Sequence, residues 1–424
     1  MTAWHRACTG TLVCWSLASF TFSPSTMAQV PGTAAPGTQG ERGQGRGGRG
    51  IQTQYPVLPI GSPLPEFSLL GIDGKRHTPK EYAGAKIMAV MFESNHCPAS
   101  IAYEKRVHEL YDEFRGKGVQ VIAINPNNPK AVRLNELGYT DMSDSFEEMK
   151  LRAAFMSLPW PYLYDGETQA LSMKMGAVAT PHIFIFDQDR RLRYQGAIDD
   201  SRAVAQVKER HAANAINALL AGRPVPVAET RALGCSTKWL NTSMAGVEEE
   251  MKDIQSTEVT LSPIDRAGLQ ALRENATSQK TIVVSFWQAG NRLDRDQFGE
   301  LQTTYRMYAR SRRPMDMVTI ATDGAEKSAA VLEFLKGQHA TTRNTQLAPG
   351  TTAPPEMFGT KWNAAQPLTL VIAPDGKVLY QREGRIDIYE VRRVILASFP
   401  DEPSWPGIKE YYRDAVARTV AKAK

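Results

Sequence analysis

Cysteine is scarce in this 424-residue chain: Cys8, Cys14, Cys97 and Cys235 are all it has. So few exclude a disulfide-stapled scaffold, and any cysteine kept in the mature chain reads as reactive or incidental. Beyond the N-terminal stretch no apolar run approaches the roughly 18 residues of a membrane-spanning helix. An excess of one charge is also missing. Fifty Lys and Arg against 45 Asp and Glu leave +5, and Arg42, Arg46 and Arg49 of that surplus sit in one glycine-rich segment. Such a balance does not point to nucleic acid. No Walker loop, dinucleotide fingerprint, zinc-protease helix or convincing Ser/His/Asp arrangement occurs, so phosphoryl transfer, nicotinamide chemistry and hydrolysis lack support. Cys-x-x-Cys and His-x-x-x-His spacings are absent too, so neither a metal nor another cofactor is expected.

What is there is an ordinary globular composition, 42% hydrophobic and 22% charged. At about 150 residues per domain the length allows two or three domains. Residues 1–28 read as a secretory signal: Arg6 gives the positive start, Thr11 to Phe22 the apolar run, and Thr26 and Ala28 the small residues of a cleavage region. Cleavage removes Cys8 and Cys14; an uncleaved anchor is the alternative. Leu12 and Val13 stand where a lipobox before Cys14 wants small residues. The mature chain is therefore expected to be exported, periplasmic or extracellular, without a membrane span. Residues 29–55, rich in Gly and Arg, have almost nothing apolar to bury and read as a flexible linker. Arg-Gly repeats can bind RNA, but an exported chain meets little of it.

From Pro56 onward short apolar strands alternate with helical stretches. Lys86 to Phe92 and Val119 to Asn125 read as strands, Pro98 to Arg115 as a helix, and Ser145 to Met156 as a helix with Ser145 and Glu148 as a capping box. Ile183–Phe186 and Leu192–Gln195 flank the turn Asp187 to Arg190 as a hairpin, with a helix expected from about Asp199 to Leu220. This order predicts an α/β fold, a mixed sheet covered by helices.

The pattern occurs twice. PHIFIFDQDRRLRYQ from Pro181 matches PLTLVIAPDGKVLYQ from Pro367, and after the inserted Arg382 and Glu383 the match resumes as Gly196–Asp199 against Gly384–Asp387. Upstream, Ile87 to Phe92 matches Thr281 to Phe286. Two homologous domains are expected, 56–222 and 263–399, joined by a polar connector, 223–262, that carries Cys235. In the last stretch, 400–424, Ile408, Tyr411, Tyr412, Ala415, Val416 and Val420 share one helical face. A helix docked on the second domain is the plain reading; a membrane-surface or partner-binding helix with Lys422 and Lys424 as basic ends is the other.

Cys97 follows an apolar strand and opens a predicted helix. Unpaired amides and the positive end of the helix dipole there stabilise a thiolate, the form that attacks. Pro98 suits the first turn, where its missing N–H costs nothing, and the polar neighbours Ser94, Asn95 and His96 speak against burial. His96 either helps keep the thiol ionised or is a solvated loop histidine. With His182 and Cys97 it raises a copper or zinc reading, which the spacing does not favour. Glu93 reads as a polar strand end.

At these residues the sequence resembles the redoxin group of the thioredoxin-like superfamily, related to alkyl hydroperoxide reductase and thiol-specific antioxidant proteins. The carriers are Phe92, the string Asn95-His96-Cys97-Pro98, Thr180-Pro181, Gly196-Ala197-Ile198-Asp199 and the opening segment Gly61 to Phe67. The resemblance implies tandem thioredoxin-like domains with Cys97 as the reactive thiol and Pro181 as a cis-proline facing it. The sequence departs from the patterns in two ways. Ser100 stands where a thioredoxin-type pair has its second cysteine, and Val90 and Ser94 stand where a peroxiredoxin has proline and threonine, although Ser94 can supply the hydroxyl. Cys235 is then a resolving thiol, a structural disulfide partner or a bystander, with an external thiol or thioredoxin-type reductant as the other resolving agent. In the second copy Asn291 falls at the cysteine position and Pro367 at the proline position, which implies a structural or partner-binding domain. The expectation is an exported thiol oxidoreductase acting on a peroxide or a disulfide, with Cys97, Pro181, Ser94 and Ser100 at its site; the alternatives are a non-catalytic binding or scaffold protein and, more distantly, a copper chaperone.

Overall fold

Strands buried on both faces read as continuous apolar runs, and two such runs mark the centres of two sheets. The computed structural model describes residues 54–351, 355–358, 362–363 and 365–422. The signal segment 1–28 and the linker up to residue 53 lie outside them. The first half contributes β1 (Leu69–Gly71), β2 (Arg76–His77), β3 (Ile87–Phe92), β4 (Val119–Asn125), β5 (Tyr162–Tyr164), β6 (Ala179–Thr180), β7 (His182–Phe186), β8 (Leu192–Gly196) and β9 (Cys235–Ser236). The second half contributes β10 (Ser262–Ile264), β11 (Thr281–Trp287), β12 (Met315–Ala321), β13 (Arg343–Leu347), β14 (Leu368–Ile372) and β15 (Val378–Glu383). Among the described residues these form a seven-stranded sheet in the order β2-β1-β5-β4-β3-β7-β8, a six-stranded sheet in the order β10-β13-β12-β11-β14-β15, and the small ribbon β6-β9. Both sheets lie in one compact unit, 51–424.

The helices are α1 (Pro98–Phe114), α2 (Phe146–Met156), α3 (Ala170–Met175), α4 (His211–Leu220), α5 (Leu240–Ser256), α6 (Arg266–Glu274), α7 (Arg292–Arg310), α8 (Ser328–Gly337), α9 (Ile388–Ser398) and α10 (Ile408–Lys422). Side-chain alternation splits β3 between two cores. Ile87, Ala89 and Met91 pack under α1 and α4, whereas Met88, Val90 and Phe92 meet Leu64, Phe67 and α3 on the other face. Helix α2 starts as its sequence predicts, with the Ser145 hydroxyl accepting from the Glu148 amide.

The sheets share one connection pattern. In each, the central strand runs parallel to one neighbour (β3 with β4, β11 with β12) and antiparallel to the first strand of the hairpin (β7, β14). The hairpins even carry a register irregularity at the same offset, Ile185/Phe186 and Val371/Ile372. The proline frame does differ: Thr180–Pro181 is the only cis bond among the described residues, so Pro367 follows a trans peptide.

Two expectations need correction. The helix expected from Asp199 is confined to His211–Leu220, because the Asp199 carboxylate is held by Arg106 (2.6 Å) and Tyr103 (3.1 Å) of α1 and so tethers the chain before it coils. The connector, expected as a polar segment with room to move, holds β9 and the seventeen-residue α5.

Helix α10 buries Ile408, Tyr412 and Ala415, with Tyr411 and Val416 partly covered, in a cluster that includes α9 and also Ile101 of α1. Its apolar face is thus covered by both halves rather than by the second alone, and is not available to a membrane; the Val420 side chain lies outside the described residues. Beneath it Asp141 accepts from Arg393 Nε (2.7 Å) and from the Tyr412 hydroxyl (3.2 Å), while its carbonyl accepts from Arg392 (3.0 Å). Asp141→Ala strands a buried guanidinium, so urea unfolding should show a stability loss of about 3 to 5 kcal/mol. A loss under about 1 kcal/mol, as for a surface pair, would remove this bridge from the account of how the halves hold together.

Candidate active site

Strand β3 ends in the loop Glu93–His96, and Cys97 is the N-cap of α1 with extended backbone (φ −78°, ψ 117°). Its Sγ makes no capping hydrogen bond to the first turn. The nearby Ser100 N–H favours the Cys97 thiolate, and the Ala99 N–H favours that of Cys235. Pro98 has no N–H to offer, so the opening amides of α1 are shared between two sulfurs.

Cys235 arrives through the ribbon: β9 runs antiparallel to β6 with Cys235 opposite Thr180. A Cβ on Gly234 would lie 2.2 Å from the Thr180 carbonyl oxygen and 2.9 Å from Pro181 N, so only glycine permits this approach. On one side of the ribbon Thr230 N donates to Gln195 O and Gln195 N to Ala228 O, both 3.0 Å. On the other, Lys238 N donates to Asn127 Oδ1 (2.8 Å) and Leu240 N to Gln169 Oε1 (2.9 Å). Cys235 is half-buried, anchored on both sides, and its thiol sits against Cys97 Sγ with both cysteines reduced.

The two thiols titrate in opposite directions. Burial alone would raise Cys97. The donated Cys235 S–H, the charge of His96 and the donors Ser100 and Thr180 overcome it and lower the thiol to about 5. Cys235 is pushed well above the usual thiol range by its bond to Cys97 and by burial. Of the two, Cys97 is the one favoured as thiolate and Cys235 the one favoured as thiol. When protonated, Cys97 Sγ donates to the Thr180 carbonyl at 2.9 Å.

Cys97 itself is 0% exposed, which corrects the expectation drawn from its polar neighbours. Those neighbours are buried with it and satisfy one another. The Ser94 hydroxyl bonds Thr180 Oγ1 at 3.1 Å, the Ser94 amide donates to Ser100 Oγ at 3.3 Å, and the Tyr162 hydroxyl donates to Asn95 Oδ1 at 3.2 Å. The Thr180–Pro181 bond is cis, and its carbonyl oxygen lies 2.9 Å from Cys97 Sγ.

The residue sequence reasoning missed is Asp144. This fully buried carboxylate accepts from Asn95 N (2.7 Å), Asn125 Nδ2 (3.0 Å), Asn127 Nδ2 (2.9 Å) and, as an ion pair, from His96 Nδ1. Desolvation works against both charges, yet Asp144 stays below the usual carboxylate range and His96 rises above the usual imidazole range because each faces the other. His96 is thus no solvated loop histidine. Asp144 lies 48 residues from His96 in the chain, and a Ser-Asp-Ser string before a helix carries no local sign of that meeting.

The remaining polar residues do other things. His182 is buried, with Nε2 against Gln195 Oε1 at 2.9 Å, and burial lowers it to about 4. Glu93 is enclosed near Arg152 and Glu104, and burial raises it to about 7, more than a strand-end role suggested. Among the described residues no three His, Cys, Asp or Glu side chains gather as a metal site does, and no described helix is long and apolar enough to cross a membrane. In the second sheet Asn291 is the N-cap of α7, accepting from the Leu293 and Asp294 amides, so the aligned helix start is capped by a carboxamide.

Residues 60–195 match the model of the AhpC/TSA family. The thiol-disulfide oxidoreductase ResA of Geobacillus thermodenitrificans (strain NG80-2) is 23% identical over 141 residues, 33% of this chain and 71% of that protein. Among solved structures, an uncharacterized conserved protein from Geobacillus kaustophilus is 35% identical over 43% of this chain and 92% of that one, with a TM-score of 0.39. A hypothetical protein from Sinorhizobium meliloti 1021 is 28% identical over 44% and 98%, with a TM-score of 0.39. The match to the family model stops 40 residues short of Cys235. Over residues 60–195, with Cys97 at the mouth of α1, the chain carries a thioredoxin-like redoxin domain of the AhpC/TSA family.

Proposed function

We propose that this protein is a thiol–disulfide oxidoreductase whose redox pair is Cys97 and Cys235. The observation that carries the reading is the β6–β9 ribbon, which sets Cys235 opposite Thr180, whose carbonyl oxygen lies 2.9 Å from Cys97 Sγ at the start of α1. The thiolate of Cys97 attacks one sulfur of a substrate disulfide and expels the other as a thiolate. Cys235 then loses its proton to the departing sulfur and attacks Cys97 Sγ, closing a Cys97–Cys235 disulfide and releasing the second substrate thiol. Two electrons pass to the substrate, and an external dithiol restores the pair. Because Cys97 is covered, an incoming disulfide reaches it only when the two-residue strand β9 lifts from β6.

Peroxide reduction has less behind it. Val90 occupies the peroxiredoxin proline position, and the Ser94 hydroxyl is 2% exposed and committed to Thr180. A purely binding role leaves the acidity of Cys97 without a use. Export rests on residues 1–28. The second sheet, with Asn291 and the trans bond at Pro367, is read as a degenerate copy kept for structure or partner binding, and the domain limits 56–222 and 263–399 follow from the repeat.

Three measurements check this reading in chains with Cys8 and Cys14 replaced by serine. Thiolate absorbance should show Cys97 deprotonating as pH rises through about 5. Gly234→Ala, which drives β9 from Thr180, should move that midpoint up toward the ordinary thiol value of about 8.5. With a model disulfide substrate, Cys235→Ser should accumulate a mixed disulfide on Cys97, whereas Cys97→Ser should accumulate none. Trapping on Cys235 instead reverses the two roles. Peroxide consumption without insulin reduction in the wild-type chain, or neither activity, retires the exchange assignment.

A further inference from the structure

Beside the two sulfurs, the most heavily bonded group of the site is a carboxylate that touches neither of them. From this geometry, and resting on the exchange reading above, we infer that Asp144 is the positioning residue of the redox pair: it acts on Cys97 through His96 and on Cys235 through Asn127. Its Oδ2 pairs with His96 Nδ1, and His96 adjoins Cys97 in sequence and lies within its electrostatic reach. The same oxygen accepts from Asn127 Nδ2 at 2.9 Å, and Asn127 Oδ1 accepts from the Lys238 amide at 2.8 Å, three residues past Cys235. One carboxylate thereby orients the histidine beside the nucleophile and fixes the strand that delivers its partner. The logic is that of a nucleophile–histidine–carboxylate arrangement, in which the acid sets tautomer and charge without entering the reaction.

The charged groups around His96 are Asp144, Cys97 and Lys238. Lys238 opposes the imidazolium, but its ammonium is paired with Glu136 at 2.6 Å. Asp144 has His96 as its charged neighbour, with Asn95, Asn125 and Asn127 as neutral donors. Removing the negative charge of Asp144 leaves His96 buried without its counter-ion, so His96 turns neutral and Cys97 loses the cation beside it.

The test compares wild type with Asp144→Asn, which keeps the shape and an oxygen for the Asn95 amide. The Cys97 midpoint should rise by at least one pH unit, so that below the midpoint alkylation slows about tenfold per unit. The rate should return to within about twofold of wild type once pH exceeds the new midpoint, since only the thiolate fraction has changed. In a His96→Gln background Asp144→Asn should add no further shift, because the pathway is already cut. Asn127→Ala should slow closure of the Cys97–Cys235 disulfide and, by loosening the strand that brings Cys235 to Cys97, still raise the Cys97 midpoint in the His96→Gln background. If Asp144→Asn folds poorly, NMR titration of His96 in the wild-type protein decides instead, with an imidazolium persisting through neutral pH expected. Equal slowing at all pH values, an unchanged midpoint, or a His96 neutral at pH 7 would overturn the inference. These readouts need no substrate, so failure of the exchange reaction alone leaves them interpretable.

Discussion

The site depends on how few amides a helix start offers. Cys97 at the N-cap and proline at the next position leave the Ala99 and Ser100 N–H groups as the donors of the opening turn, and each favours negative charge on a different sulfur. A thiolate buried away from water is tolerable only with such donors, a neighbouring cation and a thiol proton arranged around it. The close pass of Gly234 over Thr180, the ribbon pairing and the Asp144–His96 ion pair all serve that arrangement. Each is a long-range contact, so a small backbone shift in the connector alters the electrostatics of a residue more than a hundred positions earlier.

The surrounding fold puts rigid elements where that precision is needed. Strand β3, with every residue buried, anchors the loop from one side, and β7 follows directly after Pro181 on the other. Cys235 rests on a two-residue strand, held at Gln195 on one flank and at Asn127 and Gln169 on the other. A short strand between two anchors can bow outward without unfolding what flanks it, as the proposed exchange cycle asks of Cys235.

Much of the frame was legible in the residues. The strand Val119–Asn125 and the helix start at Pro98 fall where apolar periodicity and proline chemistry place them, and the capping of α2 by Ser145 follows from its hydroxyl. The position of Cys97 and the doubled connection pattern were legible for the same reason, since both are written in local order. The misses were non-local. Burial of Cys97 depends on a strand 138 residues later, the shortened helix before α4 on a carboxylate captured by Arg106, and the ionisation of His96 on Asp144. Polar letters around a cysteine suggested solvent, but they satisfy each other in the interior, and a one-dimensional string does not distinguish the two cases.

The connector leaves a mark on how relatives of this chain should be compared. Its cysteine lies outside the stretch shared with the AhpC/TSA family, reached only because one glycine lets two backbones touch. A fragment ending at residue 222 would retain every matched position and yet hold an uncovered, partnerless sulfur. Kinship measured over the shared stretch alone would group that fragment with the whole, although under the proposed cycle the two would differ in the number of electrons a single chain can store.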